Sequence, residues 1–325
     1  MNRRRFLVLA GLSITAAARP AWGQAIRTHR VAWLAGGSKQ DTEVYFETFR
    51  EGLGSFGYQE GRNLVLDARY GDYSRERSEQ LALELVALKP EVLVTQGAAA
   101  RQAEHLSPAI PTTFVFSGDP VVAGLTTSVA HPTRHLTGVS LLSLDLVGKR
   151  IEVLKELVPG LSRVAIIANP AHPGESGELE ASKAAASRLR IRVDYFPVRN
   201  HVELDSALPA LVAARAEGAV VFPDSLTNAH RVTLARFFLI KRLPSAAGWA
   251  PYAESGFLVS YGPNLLDAYR RAAYFVDRII KGTKPADLPI EMPGTIDMVI
   301  NRRTATALNL ALSPTIALRA NRLID

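Results

Sequence analysis

The fold of this chain can be inferred first from Val31-Ala-Trp-Leu-Ala-Gly-Gly-Ser38. In this stretch five apolar residues in a row are followed by two glycines and a serine. A short apolar run that ends in turn residues predicts a strand buried on both faces. From residue 41 to residue 56 the apolar side chains recur at helical spacing, and Gly57 follows as a stop signal. The segment therefore predicts a buried strand that leads through a glycine turn into an amphipathic helix.

The same unit of strand, turn and helix repeats along the chain. Further strands are predicted at residues 64–68, 92–95, 112–116, 164–168, 192–196, 219–222, 257–260 and 297–300. Continuous apolar strands that alternate with helices predict parallel sheets covered by helices on both faces. The strands are too many for one small sheet, and the series restarts near residues 137–140. We therefore predict an α/β protein with two doubly wound parallel-sheet lobes.

The first 23 residues have the pattern of an export signal. Residues 3–5 are all arginine, an apolar run of secretory length follows, and a small-x-small site predicts cleavage before Gln24. The Arg-Arg-x-Phe-Leu order also fits the twin-arginine type of signal, while the general export route stays open. A membrane anchor is the weaker alternative, because the run is too short to cross about 30 Å of hydrocarbon. We predict residues 1–23 to be a signal peptide and the mature protein to be exported to the periplasm.

Charge and cysteine usage narrow the classes of function. The full chain has 38 Lys and Arg against 31 Asp and Glu, and removal of the signal leaves 34 against 31. These charges form no long basic run, so no nucleic-acid or membrane-surface partner is indicated. Cysteine is absent, which excludes disulfides, thiolate nucleophiles and cysteine-ligated metals. Beyond the signal no segment is long and apolar enough to span a bilayer, so we expect no stable membrane insertion.

Small polar residues follow the predicted strands, and these strand ends are the candidate ligand-binding site. In open parallel sheets the carboxyl ends of the strands face the ligand crevice, where helix N-termini offer free N–H groups. The candidate residues are Gly37, Ser38, Gly97, Ala98, Ser117, Asp119, Asn169, Asp224, Ser225 and Tyr261. Helix N-termini suit a ligand carboxylate, Asp119 or Asp224 suits an ammonium group, and Tyr261 or Trp249 could stack on a side chain. Each loop alone equally fits ordinary turn chemistry, so the hypothesis of a zwitterion site rests on their shared placement.

The sequence contains no complete catalytic or metal-binding motif. The glycines at 36 and 37 lack the later glycine of a dinucleotide fingerprint, and neither a Walker sequence nor a Gly-x-Ser-x-Gly elbow occurs. His131 and His135 are four residues apart, but Pro132 argues against a helix that would place them on one face. No set of acid, base and nucleophile stands out. We expect no catalytic residues, no metal site and no cofactor.

Several blocks in a fixed order carry a family resemblance. They are residues 57–64 (GYQEGRNL), 118–121 (GDPV), 158–165 (VPGLSRVA), 168–170 (ANP), 258–263 (LVSYGP) and 281–289 (KGTKPADLP). Through these blocks the mature chain resembles the periplasmic substrate-binding proteins of ABC transporters of the tryptophan-binding-protein type, which have the type I periplasmic-binding-protein fold. The resemblance implies a small-molecule ligand held in a cleft between the lobes, hinge closure and delivery to an ABC transporter permease. A monomer would suit this lobe motion and docking to the permease, so we expect a monomeric state. The resemblance also places Asp119, Asn169 and Tyr261 near the cleft.

The resemblance further implies that the chain crosses between the lobes three times. On this basis we predict residues 28–139 and 248–283 to form the first lobe, and residues 140–247 and 284–325 to form the second. The expected function is capture of a small polar ligand, an amino acid or similar, for import. A sensor module that presents ligand to a membrane signalling protein is the alternative, since it would use the same cleft, and an exported hydrolase is less favoured.

Overall fold

The computed structural model describes residues 27–106, 110–132, 135–142 and 144–325. The predicted signal peptide, residues 1–23, lies outside the described residues. The described chain forms one sheet of five strands and one of seven strands, each covered by helices. The predicted two-lobed α/β architecture is therefore confirmed. We call the part built on the five-stranded sheet the first lobe and the part built on the seven-stranded sheet the second lobe.

The first lobe begins with alternating strands and helices. They are β1 (His29–Ala35), α1 (Lys39–Ser55), β2 (Leu64–Tyr70), α2 (Arg75–Ala87), β3 (Val92–Gln96), α3 (Ala99–Leu106), β4 (Thr112–Phe116) and β5 (Leu136–Ser140). The strand order is β2-β1-β3-β4-β5, and all neighbours are parallel. Val31 of the central strand lies opposite Leu66 on one side and Val92 on the other. Residues 31–35 are fully buried, which explains why this strand is apolar on both faces.

The second lobe takes up most of the remaining chain. Its first elements are α4 (Leu144–Leu157), β6 (Arg163–Ala168), α5 (Glu175–Arg188), β7 (Arg192–Pro197), α6 (His201–Ala213), β8 (Gly218–Val221), α7 (Ser225–Ala229), α8 (Arg231–Ile240), β9 (Ser245–Ala247), α9 (Ala250–Glu254) and β10 (Val259–Pro263). The last part of the chain gives α10 (Leu265–Ile280), a short 3-10 helix (Pro285–Asp287), β11 (Ile296–Asn301), α11 (Arg302–Ala307), α12 (Pro314–Arg319) and β12 (Arg322–Ile324). The strand order in the second sheet is β12-β11-β10-β9-β8-β6-β7.

One pair in the second sheet departs from the predicted all-parallel arrangement, because β10 and β11 are antiparallel. The path of the chain explains this. After β10 the chain leaves for the first lobe, where α10 packs on α1, and it re-enters the second sheet from the side of the cleft. The returning strand therefore runs opposite to its neighbour.

Three connections join the lobes, as the predicted fold requires. The first lies between β5 and α4, the second at Asn264 between β10 and α10, and the third between Glu291 and β11. Asn264 caps α10, and its Oδ1 accepts from the Asp267 backbone N–H at 2.9 Å. Glu291 still belongs to the first lobe, because its backbone N–H donates to the Gly138 carbonyl at 2.9 Å.

The predicted lobe boundaries need correction at two places. Residues 248–283 were assigned to the first lobe, yet β10 lies in the middle of the second sheet, where it pairs with β9 and β11. Only the part from α10 onward joins the first lobe. Residues 284–325 were assigned to the second lobe, yet the 3-10 helix and Glu291 pack on β5. The apolar pattern marked these elements correctly, but periodicity does not show which sheet a strand joins.

The core of the first lobe shows why α10 returns to it. The Trp33 ring packs on Phe49 with centroids 5.2 Å apart and on Tyr269 of α10 with centroids 5.7 Å apart. All three side chains are fully or almost fully buried. Burial of one such side chain contributes on the order of 1.5–3 kcal/mol. The apolar face of α10 thus completes the core that β1 and α1 leave open.

Candidate ligand-binding cleft

The carboxyl ends of strands from both sheets meet between the lobes around a small cavity, which we call the inner compartment. Its volume is about 40 Å³. The first lobe contributes Gly37, Thr42, Tyr45, Tyr73, Gln96, Gly97, Val115, Ser117, Leu141, Leu265 and Tyr269, and the second contributes Asp224, Ser225, Asn228 and Trp249. Aromatic rings and polar side chains therefore face one space from opposite lobes. Such a mixture of apolar walls and a few placed polar groups is typical of small-molecule sites.

A wider space, which we call the outer compartment, adjoins the inner one and has a volume of about 430 Å³. Both compartments are lined by Tyr73, Ser117, Asp224 and Ser225. The further lining residues are Ala98, Arg101, Phe116, Asn169, Ala171, His172, Pro173, Arg199, Asn200, His201, Leu226, Ala229 and His230. Two arginines and three histidines thus line the outer compartment. Because arginine keeps its charge at neutral pH, the two arginines make the outer compartment more cationic than the inner one.

The turn between β1 and α1 places the polar groups of the first lobe. Ser38 is the N-cap of α1, and its Oγ accepts from the Asp41 backbone N–H at 3.2 Å and donates to Asp41 Oδ2 at 2.7 Å. A Cβ on Gly37 would lie 3.0 Å from a Thr42 methyl and 3.4 Å from the Tyr73 ring, so only glycine fits there without displacing them. The turn thus brings Thr42 and Tyr73 to the edge of the cavity and directs Asp41 toward the second lobe.

Asp224 organises the second lobe's side of the cavity. The residue is only 4% exposed, and its Oδ1 accepts from the backbone N–H of Thr227 at 2.7 Å and from the Thr227 hydroxyl at 2.9 Å. Its Oδ2 accepts from the Asn169 side-chain amide at 2.7 Å. These bonds cap α7 and tie it to the end of β6. Three acceptor positions are therefore used within the protein, and the carboxylate has little capacity left for a ligand.

Polar contacts join the two lobes across the cleft. Arg231 Nη2 donates to Asp41 Oδ1 at 2.8 Å. The Ser117 hydroxyl lies 3.0 Å from His172 Nε2. The Asp119 backbone N–H donates to the Pro173 carbonyl at 3.0 Å. The described conformation is therefore a closed one, with contacts on both sides of the cavity.

The charge state of the Asp41 contact follows from its partners. Burial alone raises the pKa of Asp41, but hydrogen bonds from Ser38, Arg231 and Tyr73 outweigh burial and lower the pKa below its usual value of 3.8. Asp41 is therefore ionised at neutral pH. Burial, with the hydrogen bond to Asp41, raises the pKa of the Tyr73 hydroxyl, so Tyr73 keeps its proton and donates it to Asp41 Oδ2 at 2.9 Å.

Aromatic side chains form the apolar wall of the inner compartment. Tyr45 of α1 and Tyr269 of α10 are stacked with centroids 4.7 Å apart and an interplanar angle of 22°. Trp249, at the end of β9, packs against the core clusters of both lobes. Stacked and tilted rings of this kind offer a surface for another planar group.

The structure brings most of the predicted site residues together. Five line the inner compartment, namely Gly37, Gly97, Ser117, Asp224 and Ser225. Ala98 and Asn169 line only the outer one. Trp249, the predicted stacking residue, lines the inner compartment. These placements follow from the convergence of strand ends, as the sequence argument assumed.

Three predicted residues do not line either compartment. Ser38 caps α1 instead. The Asp119 carboxylate accepts from the backbone N–H groups of Val121 and Val122 at 2.7 and 3.1 Å, so it stabilises a turn. Tyr261 accepts at its backbone carbonyl from Arg150 Nε, and its ring packs on the core of the second lobe. The side chains of Ser38 and Asp119 therefore stabilise a helix cap and a turn, as such residues ordinarily do.

Several residues that line the inner compartment were not among the predicted site residues, and they include Tyr45, Tyr73, Gln96, Asn228 and Tyr269. Tyr73 follows the end of β2, a strand end that was not among the predicted site loops. Its φ of +62° shows that it lies in a turn with left-handed backbone. Gln96 is the last residue of β3, one position before the candidate Gly97. The two other tyrosines stand on the apolar faces of helices, where periodicity predicts core residues. No sequence signal identified Asn228.

Within residues 27–106, 110–132, 135–142 and 144–325, no group of three or more His, Asp or Glu side chains could hold a metal ion. No helix in the same part of the chain has both the length and the apolarity needed to cross a membrane.

Comparison with known proteins gives consistent matches. The family model described as ABC transporter substrate binding protein matches residues 39–324. A tyrosine-binding protein of Clostridioides difficile (strain R20291) is 22% identical over 264 residues, which cover 81% of this chain and 75% of that protein.

Solved structures with the same fold cover almost the whole chain. An ABC domain in complex with L-Trp from Streptococcus pneumonia has a TM-score of 0.85 at 20% identity and covers 91% of this chain and 100% of its own. A conserved domain protein from Vibrio cholerae has a TM-score of 0.84 at 23% identity with the same coverage. At identities of 20–23%, this structural similarity shows a shared fold alone.

Proposed function

The chain belongs to the ABC transporter substrate binding protein family, and on this premise we propose that it is the exported receptor of an ABC importer that captures an aromatic amino acid between its lobes. The observation that carries the proposal is the inner compartment, where aromatic rings and polar side chains from both lobes face one space. The names of two similar proteins, one tyrosine-binding and one in complex with L-Trp, support the ligand class. The ligand is bound and released without chemical change.

The volumes of the two compartments support a proposed movement of the lobes. Sites for small molecules commonly have volumes of about 300–1,000 Å³. The inner compartment has about 40 Å³ and the outer about 430 Å³. The inner compartment alone is therefore too small for an amino acid in the described arrangement of the lobes. We propose that the lobes part about the three connections to admit the ligand and then close on it.

A thermal-shift screen of the purified protein against all the common amino acids tests the ligand class. A ligand that binds only the folded state stabilises it by about 2.7 kcal/mol at 100 times its dissociation constant. We expect tyrosine or tryptophan to raise the melting temperature most, with dissociation constants near 1 μM, or about −8 kcal/mol. If aliphatic or acidic amino acids raise it and aromatic ones do not, the assigned ligand class is wrong.

Uptake measurements test the importer role. We expect cells that lack this protein to lose high-affinity uptake of the radiolabelled ligand, and the wild-type gene to restore it. Unchanged uptake, together with a lost transcriptional response to the ligand, would indicate a sensor instead.

Export can be tested separately from binding. We propose cleavage before Gln24 and a periplasmic location, on the basis of the sequence pattern of residues 1–23. Fractionation and N-terminal sequencing of the mature protein give the direct measurement. Replacing Arg3 and Arg4 by lysine should block export by the twin-arginine route and leave export by the general route intact.

A further inference from the structure

Two buried amide oxygens in the inner compartment have no hydrogen-bond partner among the described residues. They are Gln96 Oε1 of the first lobe and Asn228 Oδ1 of the second. Buried acceptors in folded proteins are nearly always paired, so two such oxygens that line one cavity need an explanation. They lie on opposite sides of the closing cleft, at the end of β3 and within α7.

Neighbouring tyrosines fix the orientation of both amides. Burial raises the pKa of the Tyr73 hydroxyl, and the Asn228 side chain opposes that rise, as an amide N–H donor does. Since Tyr73 gives its own proton to Asp41, it can only accept from Asn228. Burial likewise raises the pKa of the Tyr269 hydroxyl, and the Gln96 side chain opposes the rise. Both directions are those of an amide N–H donor next to a tyrosine, and they agree with the observation that in each residue it is the oxygen that has no partner among the described residues.

The charges around the cleft indicate what these oxygens receive. The described residues that line the inner compartment include no Lys, Arg or His, but they include the carboxylate of Asp224. The outer compartment contains the guanidinium groups of Arg101 and Arg199. An ammonium group offers three donors and no acceptor, so it fits the inner compartment, whereas a carboxylate fits the outer one.

We propose that Gln96 Oε1 and Asn228 Oδ1 accept hydrogen bonds from the primary ammonium group of the ligand, one oxygen from each lobe. This inference rests on the proposed function and adds to it the group that is recognised and the orientation of the ligand. The ammonium group points inward and the carboxylate points toward the arginines. Because its two acceptors belong to different lobes, one ligand group couples binding to closure. Asn228 also contacts Tyr73, which holds Asp41 in the contact between the lobes.

Ligand analogues test the recognised group. Isothermal titration of the wild-type protein would compare tyrosine with N-acetyltyrosine, which has no ammonium group, and with 3-(4-hydroxyphenyl)propanoate, which has no nitrogen. We expect both analogues to bind at least about 100-fold more weakly than tyrosine, because the two oxygens then stay unpaired. The same three-way comparison would be made with tryptophan if that amino acid binds more tightly.

Paired substitutions test the two residues. Gln96→Met and Asn228→Leu remove the acceptor, and each should weaken tyrosine binding about tenfold or more. Gln96→Glu and Asn228→Asp keep an oxygen in place and should bind within a few-fold of the wild type, or more tightly. Gln102→Met is the matched control, because Gln102 Oε1 is also buried without a partner among the described residues yet lines neither compartment. Melting temperatures of all variants would confirm that they fold.

The outcomes separate this inference from the proposed function. If the wild type binds no aromatic amino acid, the proposed function fails and the inference fails with it. If the wild type binds tyrosine or tryptophan but binds the acetylated form equally well, only the inference is overturned. Gln96→Met and Asn228→Leu variants that bind like Gln102→Met would overturn it as well, and would indicate that the two oxygens bond to water in the complex.

Discussion

The carboxylate of Asp41 in the first lobe and the guanidinium of Arg231 in the second form a 2.8 Å ion pair across the cleft. Both side chains are 21% exposed, so water screens this pair less than it screens a fully exposed pair. Tyr73 and Ser38 donate to the same carboxylate and hold it in place. The pair therefore favours the closed arrangement of the lobes, and it can do so without contacting the ligand.

Arg231→Gln should shift the protein toward an open arrangement. Loss of one partly exposed pair is worth about 0.5–1 kcal/mol, so we expect ligand affinity to fall about two- to fivefold. Small-angle scattering of the ligand-free variant should give a larger radius of gyration. Arg30→Gln is the matched control, since Arg30 pairs with Asp67 at 2.9 Å entirely within the first lobe. Equal affinities in the two variants would show that the pair between the lobes does not contribute to closure.

The same pair predicts how closure depends on pH. Burial raises the pKa of Asp41, but hydrogen bonds from Ser38, Arg231 and Tyr73 give a net pKa below 3.8 in the closed state. A lowered carboxyl pKa stabilises the closed state above the pKa of the open state, and that contribution is lost as pH falls through the lowered value. Asp41 should therefore add nothing to the pH dependence of affinity above about pH 5.

The comparison of wild type with Asp41→Asn isolates this effect. At neutral pH the variant should bind less tightly than the wild type, and the difference should shrink as the pH falls below about 4. Titration calorimetry at several pH values gives the measurement. A difference in affinity that grows on acidification would contradict the assigned charge state of Asp41.

Gly118→Ala should hinder closure directly. A Cβ at this position would lie 2.4 Å from the backbone carbonyl oxygen of Pro173 in the other lobe, and 2.9 Å from the Phe116 ring in its own. A backbone oxygen cannot yield as a flexible side chain can, so the lobes must stay apart. We expect ligand affinity to fall at least tenfold. Gly160→Ala is the control, because a Cβ there meets nothing within 4 Å.

The clash with Phe116 makes a second measurement necessary for Gly118→Ala. Strain inside the first lobe would lower the melting temperature without ligand, whereas obstruction of closure would reduce mainly the shift that ligand produces. A short bifunctional thiol reagent that joins engineered cysteines at Ser117 and His172, two residues in contact across the cleft, reports closure itself. Efficient crosslinking in the alanine variant would show that its lobes still meet.

The apolar runs of the parallel strands made most of the fold predictable. Residues 31–35 and 164–168 are buried on both faces, so their composition alone identifies them as strands. Helix starts are harder to predict than strands: α6 begins at His201, where the Asn200 side chain accepts from the Glu203 backbone N–H, and apolar periodicity does not show this cap. Short elements such as α7 and β12 have too few residues for a periodic pattern.

The candidate site was less predictable, for a physical reason. Gly97, Ser117 and Asp224 were found because strand ends converge at one edge of each sheet. Tyr45 and Tyr269 also belong to the core of the first lobe. They become part of a cavity wall only because residues of the second lobe enclose the space beside them. The partner of Asp41 lies 190 residues away on α8, a pairing that local pattern cannot show.

A buried ion pair in the second lobe has a different role from the contacts across the cleft. Arg150 and Glu178 are 4% and 3% exposed, and Arg150 Nη1 donates to Glu178 Oε1 at 3.2 Å. Arg150 Nε also donates to the Tyr261 carbonyl at 3.1 Å, which links α4, α5 and β10. Burial raises the pKa of Glu178, and Arg150 opposes that rise. Burial of the pair therefore costs desolvation free energy. Removal of one partner costs more, because the other charge then stays buried without a counter-charge.

Glu178→Leu should destabilise the protein by about 3–5 kcal/mol, because it leaves the Arg150 cation buried without its counter-charge. The double variant Arg150→Met with Glu178→Leu should recover most of that loss, since no charge is then buried. Glu180→Leu is the control, on the same helix but with a side chain that is 74% exposed. Urea unfolding followed by circular dichroism measures all three. If Glu178→Leu costs no more than Glu180→Leu, the pair stabilises the lobe less than its burial suggests. If the double variant is less stable than Glu178→Leu, Arg150 stabilises the lobe through its other contacts, such as that with the Tyr261 carbonyl, and an unpaired charge does not explain the loss.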